Sequence, residues 1–395
     1  MKMFRKFHRA AAVLLFFQFL TPANAVEVPA TFSFTGAGYG HGVGMSQIGA
    51  KARAVAGESA TAILKYYYKN VEVLPVPDTT TIRVNIGHAL KSVTFTTTSV
   101  GTSLQLFSGD ALVATVANKK KLTLNLASDL KTIQGYNSTL LTLRWNGGAV
   151  PVVTVTHSGK SERFRYGLIN IRVVKGALEV TTSLSLHDEY LLGISEVSSS
   201  WPSAVLEAQT IASRSYALSK MGSIKASCDC HLYSHIADQN FVGYAKEGEA
   251  RVGKIWREAV LRTTVDSATG LAILSGGKPI QAYYFSSSGG ATQTSADAWG
   301  GFTPYTQSVP DSASVDVALN PRFASWKAST TQALVAAAFG LSNVATLEVI
   351  SRNSAGAVTW IKGSSSDGVS QIIRGDTFRS RVKLPSPWFT VVANN

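Results

Sequence analysis

Thr81-Ile82-Arg83-Val84-Asn85-Ile86 alternates polar and apolar side chains, and Lys121-Leu122-Thr123-Leu124-Asn125-Leu126 does so again. A period of two puts Ile82, Val84 and Ile86 on one face of a strand and the polar residues on the other. Ile169 to Val174 and Leu178-Glu179-Val180-Thr181 are similar, and Gly or Asn-Ser punctuation separates many of the runs. The chain from about Thr79 to Thr182 therefore reads as antiparallel sheet. Helical periods come later. Pro202 suits the first turn of a helix running through Lys220, with Val205, Ala208, Ile211, Ala212 and Leu218 as its apolar stripe. Ala245 to Arg262 and Gln332 to Phe339 also read as helices. Pro279 to Phe285 reads as a strand entering a Ser286 to Gly290 loop, and Ala345 to Lys362 as a pair of strands. No fixed-period repeat is present. The expected class is α+β: sheet-rich, mostly antiparallel strands with a few helices.

Composition narrows the function. The chain has 395 residues, 45% hydrophobic and 15% charged, which supplies a core and excludes a disordered polyampholyte. Two cysteines are too few for a disulfide-dense scaffold. Lys plus Arg total 37 against 24 acidic residues, a formal charge of +13. Lys2, Arg5, Lys6 and Arg9 precede an apolar run, Ala10 to Leu20, and the small-x-small Ala23-Asn24-Ala25. Residues 1–25 read as a secretory signal, so the mature chain is expected to be secreted or in the cell wall. No later segment reaches the about 18 to 20 apolar residues of a membrane span. The remaining charge is still basic, yet no Lys/Arg stripe with interleaved aromatics points to nucleic acid. Lys119-Lys120-Lys121 reads as a solvated hairpin end. An anionic wall polymer would explain the basic charge, as would solubility alone.

Several segments carry polar groups suited to chemistry. Gly36-Ala37-Gly38-Tyr39-Gly40-His41-Gly42-Val43-Gly44-Met45 has glycine at every second position. Read as extended chain, it bares one face to another backbone or a polymer, and it lacks the spacing of a phosphate loop. A strand packed tightly beneath a helix fits the same residues. Glu196 lies between the apolar Tyr190-Leu191-Leu192-Gly193-Ile194 and the turn Ser198-Ser199-Ser200-Trp201-Pro202. Desolvation there would raise its pKa toward the range of a general acid, although a lone Glu is usually a surface residue. Gln209, Arg214 and Tyr216 on the following helix suit a site or a buried structural network. Cys228-Asp229-Cys230-His231 with His235 permits a zinc site or a disulfide. Ser286 to Gly290 with Thr292 suits a binding loop or a solvated turn. No Gly-x-Ser-x-Gly elbow supports a serine hydrolase.

Together these segments resemble the stage II sporulation protein D / amidase enhancer family (SpoIID/LytB domain). The matching pieces are Tyr190 to Gly193 with Glu196, Ser200-Trp201-Pro202, Glu207 to Ala217, and Asp238-Gln239. Tyr283-Tyr284-Phe285 through Gly290 with Thr292, and Gly40-His41-Gly42 through Gly49-Ala50, complete them. The resemblance spans nearly the whole mature chain. Two departures stand out. The loop between Gly193 and Glu196 is shorter than usual, and the Gly-His-Gly segment comes first where in the family it more often comes last. The order looks like a circular permutation, which predicts that the N-terminal segment packs beside Trp388-Phe389-Thr390-Val391, near Glu196. The expected organisation is a signal (1–25), the Gly-rich segment (26–75), a β-rich part (76–185), the catalytic-motif part (186–320) and a C-terminal α+β part (321–395).

The resemblance implies cleavage of peptidoglycan glycan strands by a lytic transglycosylase, between N-acetylmuramic acid and N-acetylglucosamine, leaving a 1,6-anhydro end. Glu196 is then the acid/base catalyst, with no cofactor, no metal and no second carboxylate required; Asp188, Asp238 and Asp297 are the nearest suspects for a partner. Matched to the family motifs, Gln209 and Arg214 support Glu196 or the sugar, and Tyr216, Tyr283, Ser287, Ser288 and His41 line the cleft. The alternative is a non-catalytic enhancer that binds wall or a cell-wall amidase. A third reading is a metal enzyme built on Cys228, Cys230, His231 and His235.

Overall fold

The computed structural model describes residues 27–392, so the expected signal lies outside the described residues. Its class is as the alternation indicates: α+β, rich in mostly antiparallel sheet. The strand Thr81–Leu90 buries Ile82, Val84 and Ile86 and lies inside a seven-stranded sheet, between Leu232–Tyr233 and Ala177–Ser185. That sheet continues through Leu168–Val174, Leu140–Asn146 and Ser103–Ser108 to Ala111–Val116. A four-stranded sheet, ordered Lys160–Phe164, Val153–His157, Ser92–Thr96, Lys121–Asn125, shares its apolar core. Lys119 to Lys121 are exposed, but they lie on the crossing from one sheet to the other and do not cap a hairpin.

The helix Ser203–Ser219 begins at Pro202, as expected. Unlike an ordinary surface helix it is buried almost all round. Leu206, Tyr216 and Ala217 belong to the sheet core; Val205, Ala208, Ile211 and Ala212 belong to a second core with the helices Gln47–Val55 and Ala60–Tyr67. Burial on every side requires internal partners for its polar residues. Ser215 Oγ donates to the Ile211 carbonyl and accepts from the Ile273 amide, and Thr210 Oγ1 donates to the Leu206 carbonyl. A third core joins the strand Thr31–Gly36 to the C-terminal elements. Thr31–Gly36 sits between Trp326–Thr331 and Phe389–Val392, so the N-terminal segment does pack beside the C-terminal strand.

Some local expectations change. The predicted helix over Ala245 to Arg262 is two helices, Tyr244–Glu247 and Gly253–Arg262. Gly248 and Gly253 lie at the break, each too close to neighbouring carbonyls for a Cβ. Pro279 to Phe285 forms only the short strands Lys278–Pro279 and Tyr284–Phe285. The Gly-rich segment is not regular extended chain, because Gly38, Gly40, Gly42 and Gly44 all have positive φ. It wraps against residues 283–290 and the Trp388 ring, so what approaches it closely is this chain's own backbone and side chains.

Gly44 has φ +79°, and a Cβ there would stand 2.1 Å from the Tyr283 carbonyl oxygen. At Gly57 φ is +90°, with nothing within 4 Å. Gly57→Ala should therefore bear only left-handed strain, about 1–2 kcal/mol. Gly44→Ala bears that strain plus the clash, and should show the larger loss in a denaturant titration of both variants.

Candidate active site

Glu196 sits on the loop between the short turn Leu191–Gly193 and the helix Ser203–Ser219. The loop is locked to residues 240–242. Val242 N–H donates to the Gly193 carbonyl at 2.8 Å, Ser195 N–H to the Asn240 carbonyl at 2.8 Å, and Asn240 Nδ2 to the Ser195 carbonyl at 2.6 Å. Ile194 and Phe241 form a bridge between these bonds. Asn240 N–H then donates to Glu196 Oε1 at 2.6 Å, and the Tyr284 hydroxyl donates to the same oxygen at 2.9 Å. Among the described residues both bonds fall on Oε1 and none on Oε2.

Behind Tyr284 runs a directed chain of buried groups. Tyr190 OH donates to Gln239 Oε1 at 2.8 Å, and Gln239 Nε2 donates to Tyr284 OH at 2.8 Å. Tyr190 and Gln239 are fully buried. Burial first, and the nearby Glu196 charge second, push both phenols far above their ordinary range, so they stay protonated and donate. Gln239 sets the direction, because its amide nitrogen can only donate and its oxygen only accept.

Burial raises the Glu196 pKa above the ordinary carboxylate value, opposed by the Asn240 amide, the Tyr284 hydroxyl and the Lys246 charge. Lys246 is itself buried and donates to the Val197 carbonyl at 2.6 Å, one residue past the carboxyl group. A half-buried carboxyl group with a raised pKa is suited to give a proton and take one back. Tyr284→Phe should push the Glu196 pKa higher still, since the lost donor favoured the charged form. The limb of a pH–rate profile that falls with rising pH should then move to higher pH. Purely structural damage would lower the rate without moving that limb.

The residues expected beside Glu196 are only partly assembled there. Tyr284, matched to the motif but given no role, holds the carboxyl group, while its neighbour Tyr283 turns its ring toward His41 and Trp299. His41 is partly exposed among the rings of Tyr283, Phe285 and Trp299, and loss of hydration, then the Arg379 charge, lowers its pKa to about 4. Tyr216 donates to Asp238 Oδ1 at 2.9 Å. Asp238 Oδ2 also accepts from Tyr233 N–H and Lys225, Asp188 is exposed, and Asp297 is tied to Thr294 in a helix cap.

The packing corrects several assignments. Arg214 is fully buried and donates through Nε to Asp78 Oδ2 at 2.7 Å and through Nη1 to Thr263 and the Leu271 carbonyl, so it supports neither Glu196 nor a sugar. Gln209 is buried between Ser213 and Gln47, linking the helix to the N-terminal segment. Ser287 and Ser288 have no exposure and line no cleft; Ser288 Oγ donates to Asp311. Cys228 and Cys230 form a disulfide, which removes the thiolates of the metal reading. His231 Nδ1 accepts from the Arg83 amide, and His235 Nδ1 accepts from the Ala237 amide. Among the described residues no His/Cys/Asp/Glu group of three or more is placed to hold a metal.

Residues 175–269 match the family model described as Stage II sporulation protein, SpoIID, in line with the resemblance carried by the motifs. No curated protein and no solved structure matches the chain. The matched stretch contains Glu196, Gln239 and Asn240, and supports a protein of sporulation or the cell wall. Tyr284 and His41 lie outside it. Among the described residues no helix is long and apolar enough to cross a membrane.

Proposed function

We propose that this chain is a lytic transglycosylase, exported by its N-terminal signal, that cuts peptidoglycan glycan strands with Glu196 as acid and base. The carrying observation is the Glu196 carboxyl group: raised in pKa by burial and held through Oε1 by two donors, with no such bond on Oε2 among the described residues. In the first step protonated Glu196 gives its proton to the glycosidic oxygen as the bond to C1 of N-acetylmuramic acid breaks and positive charge develops on that sugar. The carboxylate then takes the proton of the same sugar's 6-hydroxyl as O6 bonds to C1. The products are a free 4-hydroxyl and a 1,6-anhydro end, with no water consumed. Glu196 finishes protonated, as it began.

The match over residues 175–269 supports the wall as target, and the basic charge of the chain suits an anionic polymer. The test is digestion of intact peptidoglycan and of peptide-free glycan strands by the mature chain, with the ends identified by mass spectrometry. Anhydro ends support the proposal. Reducing ends would instead mean hydrolysis. Binding to the wall without products, together with stimulation of a cell-wall amidase, would establish the enhancer reading.

A further inference from the structure

Trp299 exposes 39% of its surface, yet its position is fixed from several sides. Its ring meets that of Tyr283 at 4.8 Å and that of His41 at 5.2 Å, and its indole N–H donates to Asp376 Oδ2 at 3.2 Å. The short helix that carries it, Ser295–Trp299, is capped by Thr294, whose Oγ1 accepts from Asp297 N–H. Its far end is gripped by Arg374, whose Nη1 donates to the Ala296 carbonyl at 3.4 Å and the Asp297 carbonyl at 3.2 Å. Arg374 and Asp376 both come from the C-terminal unit, at the junction of the strand Ser370–Arg374 and the helix Gly375–Val382. That unit thus holds an aromatic ring in place, and the ring still faces solvent.

We infer that Trp299, backed by Tyr283 and His41, is a stacking platform for the apolar face of a sugar ring in the glycan strand that Glu196 cuts. The inference rests on the glycan-cleavage reading above. Proximity along the chain favours a glycan: Tyr283, whose ring packs on Trp299, directly precedes Tyr284, whose hydroxyl holds Glu196. A pyranose has an apolar face bordered by hydroxyls, which suits an indole bordered by the Asp376 carboxylate and the His41 imidazole. A ring already immobilised loses little further side-chain entropy on binding. Trp360 is exposed to a similar degree, 37%, but the Arg374 guanidinium lies over its ring at 4.8 Å, where a sugar would have to compete with it.

The test uses the full mature chain carrying Glu196→Gln and fluorescent, peptide-free strands of alternating N-acetylglucosamine and N-acetylmuramic acid. Trp299→Ala should weaken binding about tenfold or more, Trp299→Phe less than about threefold, and Trp360→Ala not measurably. Glycan should also change the tryptophan fluorescence of the parent and not that of Trp299→Phe, which is read on a variant that keeps an aromatic core. Unchanged affinity in Trp299→Ala, or an unchanged fluorescence response in Trp299→Phe, would overturn the platform while leaving Glu196 chemistry standing. Binding with the expected pattern but no cleavage by wild type would keep the platform and remove the enzyme. A parent that binds no glycan would remove both.

Discussion

Glu196→Gln should lower glycan cleavage by about 10²- to 10⁴-fold, the range that a positioned acid/base supplies, which is about 3–5 kcal/mol of barrier. Glutamine keeps the shape and an acceptor oxygen for the Asn240 amide and the Tyr284 hydroxyl, but it transfers no proton. Binding should persist, and so should the fold. The sign of the pKa shift supports this. A carboxyl group whose pKa is higher folded than unfolded contributes stability that is fully present below its unfolded value and is lost as pH rises through its folded value. At neutral pH the glutamine variant should therefore unfold at the same denaturant concentration as wild type, or a higher one. The same shift sets the activity profile. The acid must begin protonated, so activity should fall as pH rises past the raised Glu196 pKa. An unchanged cleavage rate in a folded Glu196→Gln variant would remove Glu196 from the reaction.

What the sequence made legible follows the reach of its periodicities. The alternation at Ile82, Val84 and Ile86 identifies a half-buried strand, and the pattern after Pro202 identifies a helix, because one buried face is enough to set either period. The helices Gln47–Val55 and Gly375–Val382 escaped notice. The first is rich in Gly and Ala beside an irregular glycine segment, and the second is dominated by charged and polar residues. At the site, Glu196 was legible from its motif, but the partner that holds it was not. Tyr283 and Tyr284 are neighbours of one residue type whose rings take different directions, and the strand that carries Tyr284 is paired with Met45–Ser46, far away in the sequence. Gln239 and Asn240 act across a loop-to-loop contact that leaves no spacing signal. Arg214 and Gln209 misled for the opposite reason. Their helix is buried almost all round, so these polar residues, which suit a cleft, are internal fastenings.

The Arg214 fastening carries the largest expected stability effect. Asp78 and Arg214 are both essentially unexposed; Asp78 Oδ2 takes the Arg214 Nε–H at 2.7 Å, and its Oδ1 lies 2.5 Å from His187 Nδ1. His187 belongs to the π-helical turn Leu186–Tyr190, which leads directly to the Glu196 loop. The cluster thus ties the start of the main sheet, the central helix and that turn together. Asp78→Ala leaves a buried guanidinium without its counter-charge, and should cost about 3–5 kcal/mol, a large part of the about 5–15 kcal/mol by which folded domains are stable. A denaturant titration measures it. Asp78→Ala combined with Arg214→Met should recover much of the loss, since an apolar side chain of similar volume needs no partner in that space. The double variant also separates the two roles Arg214 has been given. If Arg214 is only a fastening, the refastened protein should bind glycan within about threefold of its parent. If Arg214 touched a sugar, the double variant would fold and still lose affinity about tenfold or more, the size of a missing charged hydrogen bond. The geometry favours the first outcome, because Arg214 has no exposed surface, with Gly270 and the Leu271 carbonyl packed against its guanidinium.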